Sequence, residues 1–553
     1  MKILLVLLQA LLLLSGAGTV EELDESELER FEHLASNPVC INLVSANRLQ
    51  SCGLFSAYQA ASILNYISEN GDILSATELG TVPGFTPDLA AALKKYVSFE
   101  SYSSGPHRRS LRQNVRVRSV NGKHAGKYSL EYGERVEFHL SAKDAVSASL
   151  AVSGKRPWKV VAGDFNARLG QGLLAWSGFS LSGVPSPGSV RKNASGFSPT
   201  GSFSPSHRGV AADYCGRTWK AGAALDSEGA LLAFGGWQGR TATAGINCIS
   251  RQGLTGVSAD ASVNVGHLCI FGEACVFGSP AALAGAIWEP AYKTGFSVLA
   301  RYYSPGYSSP FAGAVRSGSK VRDEAGFSAG FCRKWLSATA DMSLHPEKLS
   351  LRKSNYQQFK SIVDASPEFS FGRTVFSPSL RWVEKMQLSP ASDGVAVLWR
   401  HDLRTDLKVS RNGLQACLRL NAVQTGEHRP GELAYLEIGY RTPSDSARLQ
   451  LSAFLRGTAC STDGWASRVY SYERDIPGFF NVPAWYGKRH GLSFVAGLSY
   501  RRSRTLHRIN LYASLKDFKV QYQLQIHHNS GRTFSIRMPR EPLTSMVAPE
   551  KSS

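Results

Sequence analysis

Polar and apolar residues take turns through much of this chain. In residues 518–527, Phe518, Val520, Tyr522, Leu524 and Ile526 are apolar, while Lys519, Gln521, Gln523, Gln525 and His527 between them are polar. Side chains on a strand point alternately to opposite faces, so the spacing predicts a strand with one oily and one wet face. The same alternation runs through residues 115–118, 136–142, 414–416, 418–422, 447–453 and 509–515. Pro, Gly, Ser and Asp cluster at 304–310, 390–394 and 442–445, which read as turns. Many strands at hairpin spacing, charged on one face, predict a mainly β fold: a transmembrane antiparallel β-barrel over residues 113–540. At roughly 22–28 residues per strand and connection, the segment holds about 14–20 strands. A soluble sandwich or solenoid would alternate too. Repetition, aromatic content and the start of the chain decide against it.

That start is Lys2, an apolar run to Leu14 and the small residues Ser15, Gly16, Ala17 and Gly18. It reads as a secretory signal peptide, residues 1–18. The run is shorter than the roughly 20 residues a spanning helix needs. The longest other uncharged stretch, 274–288, is broken by Gly278 and Pro280. Charge is unevenly spread: residues 19–100 hold 12 acids and 4 bases, a net of −8, within a chain of net +19. The basic excess therefore belongs to the barrel region. Helical spacing appears at Ala60, Ile63, Leu64 and Ile67, and again at Leu89, Ala92, Leu93 and Val97 after a turn at 82–85. Residues 19–100 thus form a small all-α module, joined to the barrel by a polar linker, 101–112. A polar tail closes the chain at 541–553, with 533–538 an alternative closing strand.

Two helix–turn–helix units in residues 41–97 resemble the double helix-hairpin-helix module of competence-type DNA receptors. The likeness rests on the Ile-Asn-Leu entry at 41–43 and the Val-Pro-Gly-Phe turn at 82–85. It implies DNA phosphates held on turn N–H groups at Gly53 and Gly84, with Lys94 and Lys95 beside them. Leu54, Ser56 and Thr86 stand where that family has turn glycines, and a net of −8 repels a polyanion. Docking or plugging is the competing role.

Two denser stretches carry a second resemblance. The first contains Gly163, Asp164, Gly170, Gln171, Gly172, Trp176, Ser177 and Gly178, and the second Tyr470, Tyr472, Glu473, Asp475, Pro483, Tyr486 and Gly487. With residues 323–327 between them, they look like a family of predicted outer-membrane proteins of Bacteroidetes-type bacteria. Those proteins couple an N-terminal helix-hairpin-helix module to a C-terminal barrel. The resemblance implies a Gram-negative outer membrane, with its lipid and barrel-assembly machinery as partners. It also implies an N-terminal module in the periplasm, where a protein partner can meet it. From the residues alone, Gly170, Gly172 and Gly178 permit a tight bend after a strand. Gln171, Trp176 and Ser177 can line the pore mouth, and Glu473 and Asp475 can pair with lumenal arginines such as Arg191 or Arg456. Fixing an inward-folded loop is the competing role for both motifs.

Little in the chain points to chemistry. Residues 326–330 match G-x-S-x-G, but that motif needs a strand-to-helix elbow and the surroundings are β-rich. Nine scattered cysteines contain no C-x-x-C; Cys269 and Cys275 can pair across a loop if oxidised. No histidine spacing suggests a metal site, and no phosphate loop or dinucleotide fingerprint calls for a cofactor. The expectation is therefore a porin-like channel, or a transport or assembly component, for an anionic solute or polymer. A DNA-binding or DNA-uptake component is the alternative, and a barrel hydrolase a third class.

Overall fold

The computed structural model describes residues 38–529, except 43–48, 50–53, 56, 83–84, 86–88, 91–92, 95, 100–109, 133–134, 154–157, 179–183, 185–186, 204, 217, 240, 292–293, 354, 427–428, 444–447, 477–481 and 503. The signal peptide 1–18, the acidic stretch at 21–32 and the tail beyond 529 lie outside the described residues.

From Ser110 to Asn529 the chain forms one closed, antiparallel barrel. It has 24 staves, because two short strands, Gly196–Pro199 and Phe369–Phe371, continue the lines of their neighbours. The first strand, Ser110–Val120, pairs along its length with the last, Phe518–Asn529, from Ser110↔Asn529 to Val120↔Lys519. This closure starts the barrel within the segment expected as linker 101–112. It also makes Phe518–Asn529 the closing strand, ahead of 533–538. The expected 14–20 strands were too few. Most connections are two- to four-residue hairpins, so each stave with its turn consumes fewer residues than the allowance assumed.

Inside and outside are reversed relative to a soluble protein. On the closing strand Lys519, Gln521 and Gln523 are buried, whereas Phe518 and Tyr522 are 54% and 38% exposed. The wet face lines the lumen and the oily face forms the outer wall, where Leu420, Leu436, Ile438 and Leu455 also stand exposed. A sandwich would have buried those apolar side chains. Aromatic residues gather on the outer wall as directly opposed pairs: Trp158↔Tyr214, Trp219↔Trp237 and Trp288↔Phe296. Trp288 and Phe296 stack with ring centroids 5.8 Å apart. Such a girdle suits a membrane–water boundary, where a ring meets both acyl chain and water.

The barrel has a polarity. Both chain ends lie at one end with the girdle, where every connection is short. The long connections 169–206, 304–323, 345–356 and 462–488 all lie at the other. An even number of staves requires that both ends of the barrel share a side.

The N-terminal module is built on Ala57–Asn70, whose Ile63 is fully buried in a core with Ile41, Leu49, Phe55, Ile73, Leu79, Val82 and Phe85. The short helix Ala76–Leu79 follows, its Ser75 cap accepting from Glu78 N. One feature departs from the all-α expectation: Val39–Cys40 pairs in parallel with Val97–Ser98, tying the module's two ends together. Two-residue strands carry no readable period, so alternation could not reveal them.

Candidate functional site

The lumen is the concave surface that the fold creates, and three connections from the long-loop end fold into it. The first, 169–206, follows the strand Trp158–Arg168. Gly163 starts the departure. Its φ is +94°, and a Cβ there would lie 2.1 Å from the Ala148 carbonyl oxygen, so only glycine allows this backbone. Asp164 beside it is fully buried, and its carboxylate accepts from Arg208 Nε at 2.6 Å and from Ala148 N at 2.9 Å. Beyond Arg168 the loop dives into the barrel. Gly170 packs directly on the Glu273 carboxylate, which accepts from Gln171 N at 2.7 Å, Leu173 N at 3.1 Å and Ser258 Oγ at 2.6 Å. The Gln171 side chain is buried, and its amide exchanges two hydrogen bonds with the backbone of Lys192. Ser177 Oγ accepts from Ala167 N at 2.9 Å, and Trp176 lies between Lys192 and Arg168.

The second connection, 304–323, packs against the first. Tyr307 donates to Leu173 O at 2.5 Å, Ser309 to Leu174 O at 2.7 Å, and Trp176 N to Phe311 O at 2.9 Å. Leu169, Leu173, Leu174, Val190, Phe197, Tyr303 and Tyr307 join wall residues such as Phe165, Phe271 and Leu299 in one apolar core. This half of the lumen is filled. Gln171 and Ser177, expected at the pore mouth, are buried with their polar atoms bonded to Lys192 and Ala167, while Trp176 is half-buried beside Arg168 and Lys192. From the terminal end the N-terminal module reaches the same region: Phe55 borders a small cavity with Gln171, Arg191, Lys220 and Thr243.

The third connection, 462–488, lies along the opposite wall. Val469–Tyr470 pairs with Ala484–Trp485, closing the loop on itself, and Gly487 at φ +70° donates to Thr462 Oγ1 at 2.8 Å. Asp475 pairs with Lys519, Glu473 Oε2 accepts from Tyr512 Oη at 3.3 Å, and Arg456 Nη1 donates to Tyr472 O at 2.5 Å. Ser471 N reaches Pro483 O at 3.4 Å, while Tyr486 packs edge-on against Trp465. Of the arginines expected beside Glu473 and Asp475, Arg456 faces Glu473 and acts on its carboxyl. Arg456 is held by Glu437 at 2.7 Å, and Arg191 belongs to the first connection. The closing strand, brought beside the loop only by barrel closure, supplies the cation. Burial pushes the Glu473 and Asp475 carboxyls above their ordinary range, with Arg456 and Tyr512 opposing this at Glu473 and Lys519 at Asp475.

Beneath this loop the wall is cationic. Register sets Lys360, Lys385 and Arg400 directly opposite one another on three adjacent strands, all facing the lumen. Four residues further along, Asp364, Arg381 and Arg404 form another row. Arg381 reaches Asp364 at 3.6 Å, and Arg404 approaches Asp406 at 3.8 Å. Asp406 is fully buried and gripped by Arg419 through bonds of 2.5 and 2.7 Å. Like charges directly opposite on neighbouring strands repel. The row of Lys360, Lys385 and Arg400 sets three cations side by side, with Asp341 opposite Lys360 and Asp402 near Lys385 and Arg400 as the facing carboxylates. Sequence reading missed these residues, although the signal was present: Arg400, Asp402, Arg404, Asp406 and Lys408 alternate with Leu, His and Thr.

Other sequence candidates fall elsewhere. Gly53, Gly84 and Lys95 lie outside the described residues, and Lys94 is exposed at the end of a short helical turn. The G-x-S-x-G residues run along the strand Glu324–Arg333, without an elbow. Ser328 is fully buried, donating to Asp341 at 2.5 Å and accepting from Arg301 at 2.8 Å, while Gly326 leaves room for the Arg301 guanidinium. Cys269 and Cys275 stand on one strand, Leu268–Phe277, so no loop brings them together, and both are free thiols. Among the described residues no group of three or more His, Cys, Asp or Glu is arranged to hold a metal.

No protein-family model matches the chain, and no curated protein does. Among solved structures it is similar to Pseudomonas aeruginosa OccK8 (OprE), at 7% identity and a TM-score of 0.30, covering 76% of this chain and 98% of that one. The P pilus usher (PapC) translocation pore matches at 10% identity and 0.28, covering 76% and 99%. A BenF-like porin from Pseudomonas fluorescens Pf-5 matches at 7% and 0.28, covering 76% and 97%.

Proposed function

We propose that the chain forms a passage across the outer membrane for an anionic solute or polymer, with its N-terminal module on the periplasmic side. The observation that carries this reading is the cationic wall. On the four strands from Gln357–Ala365 to Leu414–Thr425, seven lumen-facing cations (Lys360, Arg381, Lys385, Arg400, Arg404, Lys408, Arg419) stand against three carboxylates (Asp364, Asp402, Asp406). A lumen wall with such a surplus concentrates anions and disfavours cations. The girdle, the exposed apolar wall and the shared side of both barrel ends support the membrane setting and its orientation. The test is reversal potential in planar bilayers across a potassium chloride gradient. The wild type should prefer chloride, and the double substitution Arg381→Glu with Arg404→Glu should remove or reverse that preference. A cation-selective or non-conducting barrel would sink the reading.

The kinship with Bacteroidetes-type barrel proteins and the DNA-handling alternative rest on sequence resemblance alone. For the latter, a mobility shift of labelled duplex by the detergent-solubilised full chain is decisive. Salt-sensitive micromolar binding that is lost in Lys94→Glu with Lys95→Glu would favour it.

A further inference from the structure

We propose that Lys385 and Arg400, with Lys360 beside them and Arg468 above, form a subsite for a small polyvalent oxyanion, and that its occupation frees residues 465–468 of connection 462–488 from Arg400. The inference rests on the anion-passage reading above and adds where the anion binds and what its binding moves.

The geometry has three parts. First, Lys360↔Lys385 and Lys385↔Arg400 are direct cross-strand partners, which sets three cations in a row about 5 Å apart at the backbone. Lys385 is exposed, and among the described residues Asp402 is the carboxylate that acts on it, without a close ion pair. Second, the loop adds a fourth cation rather than a counter-charge. Arg468 stacks over Trp465, 4.4 Å from its ring centroid, and donates to Tyr470 Oη at 2.8 Å. Third, the guanidinium of Arg400 is engaged by the loop backbone: Nη1 donates to Ala466 O at 3.0 Å and Nη2 to Arg468 O at 2.7 Å. These two carbonyls present partial negative charge where a carboxylate or phosphate would present a full one.

A charged acceptor binds a guanidinium roughly twice as strongly as a neutral carbonyl, and it can do so bidentately. An oxyanion entering beside Lys385 therefore competes with Ala466 and Arg468 for Arg400. Once Arg400 has changed partner, residues 465–468 lose these two hydrogen bonds to the wall, with Ser467 still packed on Gly431. The rest of the loop stays anchored: Val469 is buried among Cys417, Val423 and Leu433 of the wall, Arg474 pairs with Glu437 at 2.9 Å, Arg456 donates to Tyr472 O, and Lys519 pairs with Asp475. Cargo thus relieves the repulsion in the row and frees residues 465–468 above it in one step.

The experiment uses the full chain and two probes, inorganic pyrophosphate and citrate, to separate phosphate from carboxylate chemistry. Calorimetry on detergent-solubilised protein reads binding, and planar bilayers read conductance. Wild type should bind at least one probe saturably, and the same concentration range should raise its conductance. Lys385→Ala should weaken binding about tenfold and shift the conductance response equally. Arg400→Gln should give the raised conductance without probe and no further response. Heat-dependent gel mobility checks that each variant is assembled. Binding unchanged in both variants would overturn the subsite, and binding without a conductance change in wild type would overturn the release. A barrel that binds pyrophosphate in detergent yet never conducts would sink the passage reading and leave the subsite standing.

Discussion

Glu273, on the barrel wall, holds the backbone N–H of Gln171 at 2.7 Å, across 102 residues of sequence. The same carboxylate takes Leu173 N and the Ser258 hydroxyl, so one side chain caps the tip of the inward loop. Glu273→Ala should leave two backbone donors unsatisfied in a dry site and cost roughly 2–4 kcal/mol. Connection 169–178 should then become cleavable by added protease in otherwise folded barrels. Glu273→Gln, which keeps an acceptor, should show a smaller effect. Equal resistance of Glu273→Ala and wild type would show that the apolar core alone seats the loop.

Gly163→Ala should block assembly. The new methyl would collide with the Ala148 carbonyl, and the residue sits at a φ that side chains rarely adopt. Gly235→Ala, on an outward-facing position with nothing near its Cβ, is the control. The measurement is the fraction of each variant with heat-modifiable gel mobility after outer-membrane extraction. It should fall sharply for Gly163→Ala and stay near wild type for Gly235→Ala.

Arg419 and Asp406 form a fully buried pair. Removing either partner alone strands a charge and should cost about 3–5 kcal/mol, whereas replacing both by apolar residues should cost far less. Thermal unfolding of Arg419→Met, Asp406→Leu and the double variant gives the comparison. A double variant as unstable as the singles would mean that the pair also supports its neighbour Arg404.

The third connection should respond to pH. Glu473 and Asp475 are shifted upward by burial, so the docked loop binds protons more tightly than the released loop. Docking is therefore most stable below the ordinary carboxylate range and weakens as pH rises through the raised values. The groups facing Glu473 are Arg456 and Tyr512, and those facing Asp475 are Lys519 and Asp517. Bilayer recordings from about pH 4.5 to 7.5 should show the low-conductance state losing occupancy as pH rises. Glu473→Gln with Asp475→Asn should flatten that profile. A pH response unchanged in the double variant would assign it to other groups.

Much of the wall was legible in the chain itself, because a strand's two faces are set by a period of two that needs no knowledge of its neighbours. The oily and wet faces of residues 518–527 follow from alternation, and so do the strands at 136–142 and 414–425. The helix at 57–70 follows from a period near four. Tertiary structure alone decided which strands are neighbours, and with that the closure of Ser110–Val120 on Phe518–Asn529 and the pairing of Lys519 with Asp475. It also decided that the two dense motifs fold inward and are satisfied by distant wall residues such as Glu273 and Tyr512. The row of Lys360, Lys385 and Arg400 exists only through the register of three strands. Alternation tells each cation which way to face, but hydrogen-bonded register sets the level at which it stands, and that is a property of pairs of strands rather than of any one of them.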